Sequence, residues 1–415
     1  MNQPERPSSA ETVALLALTT SLVAFAIDAM LPALGEIARD LGARGDNDRQ
    51  LVLTALFLGT AVAQIVYGPV SDSAGRKPAI YGGFVVFIAG CLVSMLAQSF
   101  TVMLVGRFLQ GIGAAGPRIV SIALVRDQYE GRAMARIMSM VMSVFILAPV
   151  VAPMMGQGVM IFSGWRAIFG VLCALAVVNF AWFAARQPET LPPERRAPFS
   201  LGPIARAALE TARSRVASGY TVAAGLLFGA FVGYLATSQQ ILQVQYGTGA
   251  AFPFYFAANA LTIGAASLVN AHLVMRFGMQ LLSGWAQRGQ VALSVAFLIV
   301  TLVADGHPPL WAFMAYTLLA FFCIGVLFAN FNTLAMEPMG HIAGVASAVI
   351  GSITTFISLG IGTLIGMTYD GTVTPLVAGF AALGLGSLGA MWMAERGRGG
   401  GTSSSQRRPA AQVKA

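Results

Sequence analysis

Asp28 is the acidic residue placed where a carboxyl group would do chemistry. Of the seventeen acidic residues it alone falls well inside an apolar run, the segment over 12–34. A lone carboxylate in hydrocarbon costs several kcal/mol and marks a functional site by default. Two arginines, Arg107 and Arg118, fall inside another apolar run, over 101–125. If the first run crosses outward from residue 12, Asp28 lies about 7 Å beyond its middle, at 1.5 Å per residue. Arg107, on a run crossing the other way, lies about 9 Å to that same outer side. Arg118 lies about 7 Å to the inner side, too far along the axis to be the first choice of partner. Asp28 and Arg107 are therefore expected to face one central cavity, close enough to influence each other. Such a pair can take up and release protons: burial favours a neutral acid, a nearby guanidinium favours the carboxylate, and opening the cavity to either side changes both influences. A proton moving down about 100 mV supplies roughly 2.3 kcal/mol from the potential alone, which can drive another solute uphill. A static ion pair holding two helices together is the alternative.

Little else in the chain has the makings of a reactive centre. Cys91, Cys173 and Cys323 stand singly in apolar runs, with no spacing that suits a metal or a disulfide framework. Buried thiols of this kind are ordinarily small core residues. His272, His307 and His341 fall near run ends or in loops, so none is placed as a mid-membrane proton carrier. No metal cluster, nucleophile–base pair or phosphate-binding loop occurs at a usable spacing. An enzyme is not expected, nor a metal or cofactor; the proton is the coupling ion.

Placing a charge in hydrocarbon requires membrane-spanning elements, and the composition demands them. The chain has 415 residues, 56% hydrophobic and 10% charged, with mean hydropathy +0.73. A soluble domain carries about 25% charged residues, so this chain cannot cover itself with water-facing groups. Apolar runs long enough for a bilayer core of about 30 Å fall near 12–34, 51–71, 79–98, 101–125, 136–160, 166–186, 218–240, 252–274, 281–304, 309–334, 344–367 and 373–394. The longest polar interruption, 187–217, is rich in proline and arginine and divides the chain into halves. A faint second copy of the first half's charged turn stands at Arg276-Phe-Gly278. The net charge of +8 would suggest nucleic acid in a soluble protein, but here its location explains it. Apart from Arg39, Arg44, Arg49 and Arg166, and the two arginines inside runs, the basic residues occupy the N-terminus, alternate loops and the C-terminal tail. That asymmetry puts both termini in the cytosol. The first apolar run is too long, and too interrupted by Asp28, for a cleavable signal.

Between the second and third runs stands Gly68-Pro-Val-Ser-Asp-Ser-Ala-Gly-Arg-Lys-Pro78, a turn so short that the flanking helices must run antiparallel. It resembles the Gly-x-x-x-Asp-x-x-Gly-Arg-Lys signature of major facilitator superfamily transporters, with Gly68, Asp72, Gly75, Arg76 and Lys77 on the pattern. An ordinary basic turn would account for Arg76 and Lys77 but not for Asp72 or the glycine spacing. Arg107-Phe-Leu-Gln-Gly-Ile-Gly113 resembles the fourth-helix signature of the drug:proton antiporter branch, in which this arginine is tied to proton coupling. Ala148-Pro-Val-Val-Ala-Pro-Met-Met-Gly156 is similar to the fifth-helix motif of exporters in the superfamily. It departs from that motif in having Ala148 for the first glycine, an extra proline at Pro153, and Gln157 where a second glycine is common. Pro149, Pro153 and Gly156 are expected to form a gating hinge, with a simple packing kink as the alternative. Asp28-Ala-Met-Leu-Pro32 with Glu36-Ile-Ala-Arg-Asp-Leu41, Val125-Arg-Asp127, Trp165-Arg-Ala-Ile-Phe169 and Glu189-Thr-Leu-Pro-Pro-Glu-Arg-Arg196 resemble the Bcr/CflA drug-resistance subfamily. The C-terminal half matches it through Phe331-Asn-Thr-Leu-Ala-Met336 and His341-Ile-Ala-Gly-Val-Ala-Ser347. Arg118, beside Pro117, maps onto nothing in the family pattern.

The resemblance implies an all-α membrane protein of twelve transmembrane helices in two six-helix bundles, the major facilitator fold. The bundles fall at 12–186 and 218–394, with a cytosolic linker at 187–217, a cytosolic N-terminus at 1–11 and a flexible cytosolic tail at 395–415. It also implies an inside latch in which Asp72, Arg76 and Asp127 hold the cytosolic side closed, Asp72 against the N-terminus of the eleventh span and Arg76 on Asp127. Candidate substrate-cavity residues are Phe57, Gln64, Tyr67, Arg118, Tyr234, Gln239, Asn259 and Asn330; aromatic pockets with few charges accept varied amphiphiles. For each of these, helix packing is the plainer reading. The expected activity is proton-coupled efflux of drugs or small amphiphilic metabolites across a bacterial inner membrane, by a monomer whose partners are its substrate and the bilayer. A proton-linked importer of the same fold is the alternative, or a sensor that binds without moving its ligand.

Overall fold

Hydrocarbon offers backbone groups no hydrogen-bonding partner, so a chain this apolar must satisfy them within each segment, as helices. A computed structural model describes residues 9–399, and these are mostly helical with no strand among them. The expected cytosolic N-terminus and tail therefore lie largely outside the described residues. In chain order the helices are α1 (Ser9–Asp28), α2 (Leu34–Asp40), α3 (Leu51–Ala74), α4 (Arg76–Met95), α5 (Phe100–Gln128), α6 (Gly131–Arg186) and α7 (Gly202–Arg213). There follow α8 (Arg215–Gln239), α9 (Phe252–Phe277), α10 (Met279–Val303), α11 (Leu310–Met336), α12 (Ala343–Met367) and α13 (Thr374–Gly399).

Ten helical runs among the described residues are long and apolar enough to cross a membrane. Two of them, 131–186 and 310–367, hold 56 and 58 residues, more than twice what a crossing needs. Each is interrupted. Gly164 breaks α6 with φ 73 and ψ 176, a conformation that glycine adopts without steric cost. A 3₁₀ turn over Glu337–Ile342 separates α11 from α12. The breaks fall in the gaps expected at 161–165 and 335–343.

Three boundaries depart from expectation. The run expected over 12–34 stops being α-helical at Asp28 and resumes as a 3₁₀ turn at Leu31–Ala33. Pro32 explains this, because proline lacks an N–H and its ring disfavours helix in the residue before it. The linker expected at 187–217 contains a helix of its own, α7, which buries Ala207 and Thr211 and packs against α12. After Gln239, α8 loosens into a π-helical turn over Gln240–Gln245, a device that clusters at functional positions.

The turn expected over 68–78 contracts to Gly75, with 68–74 in α3 and 76–78 in α4, and the faint second copy falls at Gly278. Gly75 (φ 110) joins α3 to α4, and Gly278 (φ 80) joins α9 to α10. Each sits at positive φ between abutting helices, which gives the faint sequence repeat a conformational counterpart. Small residues set the tightest packing of α5. A side chain at Gly59 would meet the Phe108 carbonyl, and one at Gly111 the Leu56 carbonyl.

Helix α1 packs on α5 and α6, while α8 packs on α11, α12 and α13. The two groups meet where α3 lies against α12 and α6 against α9. Polar bonds knit that junction at one end. Gln50 Nε2 donates to the Gly366 carbonyl at 2.6 Å and to Gln240 Oε1 at 2.9 Å. Asn47 Nδ2 donates to the Met367 and Tyr369 carbonyls, and Arg49 Nη1 to Gln239 Oε1. The Thr54 and Thr363 hydroxyls meet at 2.9 Å. Ser352 Oγ donates to the Ala61 carbonyl at 2.7 Å. Beyond that point no hydrogen bond among the described residues joins 62–78 to the second half of the chain.

Candidate functional site

Where the two groups of helices part, they enclose a cavity of about 470 Å³. Its wall is largely apolar and includes seven phenylalanines. Phe57 of α3 meets Phe228 of α8 edge-on at 6.3 Å between ring centroids, and Phe228 and Phe231 both meet Phe328 of α11. Phe145 and Pro149 of α6 and Phe256 of α9 close other sides. Among the lining residues only Asp28 and Arg118 carry charge.

Asp28 is the last residue of α1, directly before the break that Pro32 imposes. It is 4% exposed and lines the cavity. Among the described residues no hydrogen bond or ion pair reaches its carboxylate. Beside it the chains press close: Gly156 of α6 lies against the Ala29 carbonyl, where any side chain would collide. That contact gives Gly156 a packing role, and no backbone break occurs at Pro149 or Pro153, since the single non-helical residue of α6 is Gly164.

Arg107 is fully buried and is not part of the cavity wall. Its Nη2 donates to the Ala26 carbonyl at 2.8 Å, its Nε to the Val52 carbonyl at 3.2 Å, and its Nη1 to Gln110 Oε1 at 2.7 Å. Phe169 covers its face at 6.0 Å. The shared cavity expected for Asp28 and Arg107 is thus not the observed arrangement. Their axial level agrees, since Ala26 is two residues from Asp28, but around the axis Arg107 turns into the seam of α1, α3 and α5. Rise per residue fixes depth and leaves azimuth open.

Of the other cavity candidates, Phe57, Gln64, Arg118, Tyr234 and Asn259 line it. The Tyr234 hydroxyl accepts from Asn259 Nδ2 at 2.9 Å. Tyr67, Gln239 and Asn330 do not. Tyr67 packs over Gly116, Gln239 belongs to the polar junction with Arg49, and Asn330 forms a reciprocal pair with Asn270 at 3.0 Å. The aromatic wall at Phe228, Phe231 and Phe328 is absent from the sequence candidates. A signal existed: Ala224, Phe228, Phe231 and Leu235 recur at the spacing of one helix face.

The charged turn is built around Arg76. Its Nε donates to Asp127 Oδ2 at 2.9 Å, and its Nη1 contacts both Asp72 and Ser71. Asp72 remains 56% exposed with Arg76 as its partner, and no hydrogen bond among the described residues ties it to the N-terminus of the eleventh span. Lys77 Nζ donates to the Ala184 carbonyl at 3.0 Å, and nothing crowds Gly68. Glu189, which the sequence offers only as the start of a stretch resembling the Bcr/CflA subfamily, supplies the missing cap. Its carboxylate accepts from the backbone N–H groups of Arg76 and Lys77, each at 3.0 Å, where a helix N-terminus favours negative charge. Its partners lie more than a hundred residues away, beyond the reach of local patterns.

A family model described as Major Facilitator Superfamily matches residues 16–363. The chain is 32% identical to an uncharacterized MFS-type transporter, YdgK, of Bacillus subtilis, covering 90% of this chain and 93% of that one. It is 31% identical to a bicyclomycin resistance protein homolog of Haemophilus influenzae, over 87% and 90%. It is 26% identical to multidrug resistance protein D of Escherichia coli, over 84% and 86%. Among solved structures, the human organic anion transporter MFSD10 superposes with a TM-score of 0.67 at 18% identity, covering 94% of this chain and all of that one.

Proposed function

Since this chain belongs to the Major Facilitator Superfamily, and is accordingly a multi-pass membrane transporter and not an enzyme, we propose that it exports drugs or similar small amphiphiles in exchange for protons. In this reading the ten apolar runs make twelve crossings, because Gly164 and the turn at 337–342 each divide a long run in two. Six crossings precede the linker and six follow it, with both termini cytosolic. The protein works as a monomer in a bacterial inner membrane, with the proton as coupling ion and no bound cofactor. The observation that carries the coupling is Asp28, a nearly buried carboxyl group on the cavity wall with no protein partner among the described residues. Resistance names borne by two of the relatives support export as the direction. In this reading the polar junction at 47–50 closes one end of the cavity, and the lack of hydrogen bonds from 62–78 to the second half among the described residues supports the charged-turn end as its entrance.

Direction and coupling are tested together in inverted vesicles carrying an imposed pH gradient. Uptake of a dye or drug that collapses when the gradient is abolished is the expected result. Accumulation in right-side-out vesicles instead means import, and binding without movement in either means a sensor.

The alternating states need a latch at the charged turn. An exposed ionic contact contributes about 1 kcal/mol, which changes a two-state ratio by about fivefold. Asp72→Asn is therefore expected to slow transport about fivefold or more, with substrate affinity within about twofold of wild type. Transport at the wild-type rate in that variant removes the latch.

A further inference from the structure

Arg107 and Arg118 lie on one helix, in opposite circumstances. Arg107 has all three guanidinium nitrogens engaged by α1, α3 and its own helix. Arg118, eleven residues on and about 16 Å farther along the axis, lines the cavity, and no hydrogen bond or ion pair reaches it from the described residues. Its guanidinium rests on the Phe145 ring at 5.7 Å, a placement that orients the plane and leaves the donor edge open. A guanidinium keeps its charge and carries five donors; Arg118 is exposed to the cavity, so those donors are open to whatever the cavity holds. Asp28, the one acidic lining residue, stands near the level of Arg107 rather than of Arg118. Aromatic surface from Phe57, Phe228 and Phe231 lines the same cavity.

We propose that Arg118 anchors an acidic group of the substrate, so that the cavity selects amphiphilic organic anions: a carboxylate or sulfonate joined to an aromatic or aliphatic body. The proposal rests on the reading of this cavity as the substrate site. A guanidinium fork matches a carboxylate or sulfonate with two parallel hydrogen bonds, and the phenylalanines receive the apolar body. The acid falls at Arg118 and not beside Asp28, so a bound anion does not compete with the carboxylate proposed to carry protons.

The test uses purified full-length protein in detergent and two dyes with the same xanthene core, anionic fluorescein and cationic rhodamine 123, with binding read by fluorescence anisotropy. Wild type is expected to bind fluorescein the more tightly. Arg118→Gln is expected to weaken fluorescein by about ten- to a hundredfold, as for one charge-assisted pair, and to bind rhodamine 123 more tightly because a repelling charge is gone. Arg118→Lys, which keeps the charge and loses the fork, is expected to fall between. Preference of the wild type for rhodamine 123, or equal loss of both dyes in the two variants, overturns the anion site. The vesicle experiment separates this proposal from the one beneath it. Fluorescein binding through Arg118 with no proton-driven movement refutes export alone, while proton-driven export with fluorescein binding indifferent to Arg118 refutes the anion site alone.

Discussion

Asp28→Asn is expected to abolish accumulation against a pH gradient, bringing it to the level of empty vesicles, while downhill exchange of substrate persists. The substitution keeps the size and hydrogen-bonding capacity of a side chain that is 4% exposed on the cavity wall, and removes only its ability to carry a proton. A proton crossing about 100 mV contributes roughly 2.3 kcal/mol, which corresponds to a concentration ratio of roughly fortyfold. Uncoupling forfeits that whole ratio. Because no protein group among the described residues binds the carboxylate, little folding stability is at stake, and the variant should elute and melt as the wild type does. Asp28→Glu restores a titratable group and should recover part of the accumulation. Uphill transport by Asp28→Asn equal to that of wild type would show that another group carries the protons.

Arg107→Lys is expected to be nearly as damaging, by a different route. The guanidinium spans three helices: it reaches Ala26 of α1, Val52 of α3 and Gln110 within α5. A lysine ammonium keeps the charge, but its three donors sit on one nitrogen at the end of a flexible stem. It cannot serve three acceptors spaced for a fork. Two charge-assisted hydrogen bonds lost in a buried seam cost about 3–6 kcal/mol, and the carbonyl most exposed to the loss is Ala26, two residues before Asp28. We therefore expect a lower melting midpoint together with at least about a tenfold fall in transport. The comparison with Asp28→Asn is informative: loss of coupling at unchanged stability belongs to Asp28, and loss of both to Arg107. Full transport by Arg107→Lys would mean that its charge alone matters, and the bracing role would be withdrawn.

Much of the architecture was legible in the chain. Run lengths follow from the cost of unsatisfied backbone in lipid, and the place of the charged turn from glycine spacing; the break at Pro32 and the contraction of the turn to Gly75 were not read. Axial depth was legible too, because every helical residue advances the chain by the same rise; Arg107 does lie level with the end of α1. The sequence resemblance to the superfamily, read from Gly68, Asp72, Gly75, Arg76 and Lys77, agrees with the family match over 16–363.

What the chain alone left open was azimuth and partner. Whether Arg107 faced the cavity or the seam depended on how α1 and α3 lean on α5, which close approaches at Gly59 and Gly111 decide. Tyr67, Gln239 and Asn330 were indistinguishable by type from the residues that line the cavity. Their neighbours, Gly116, Arg49 and Asn270, come from other helices and assign them elsewhere. Glu189 capping α4, and Gln50 bonded to Gln240 and Gly366, join residues more than a hundred positions apart. A sequence fixes how deep each group lies because that depends on one helix; which groups meet depends on several helices packed together, and only the folded chain brings those together.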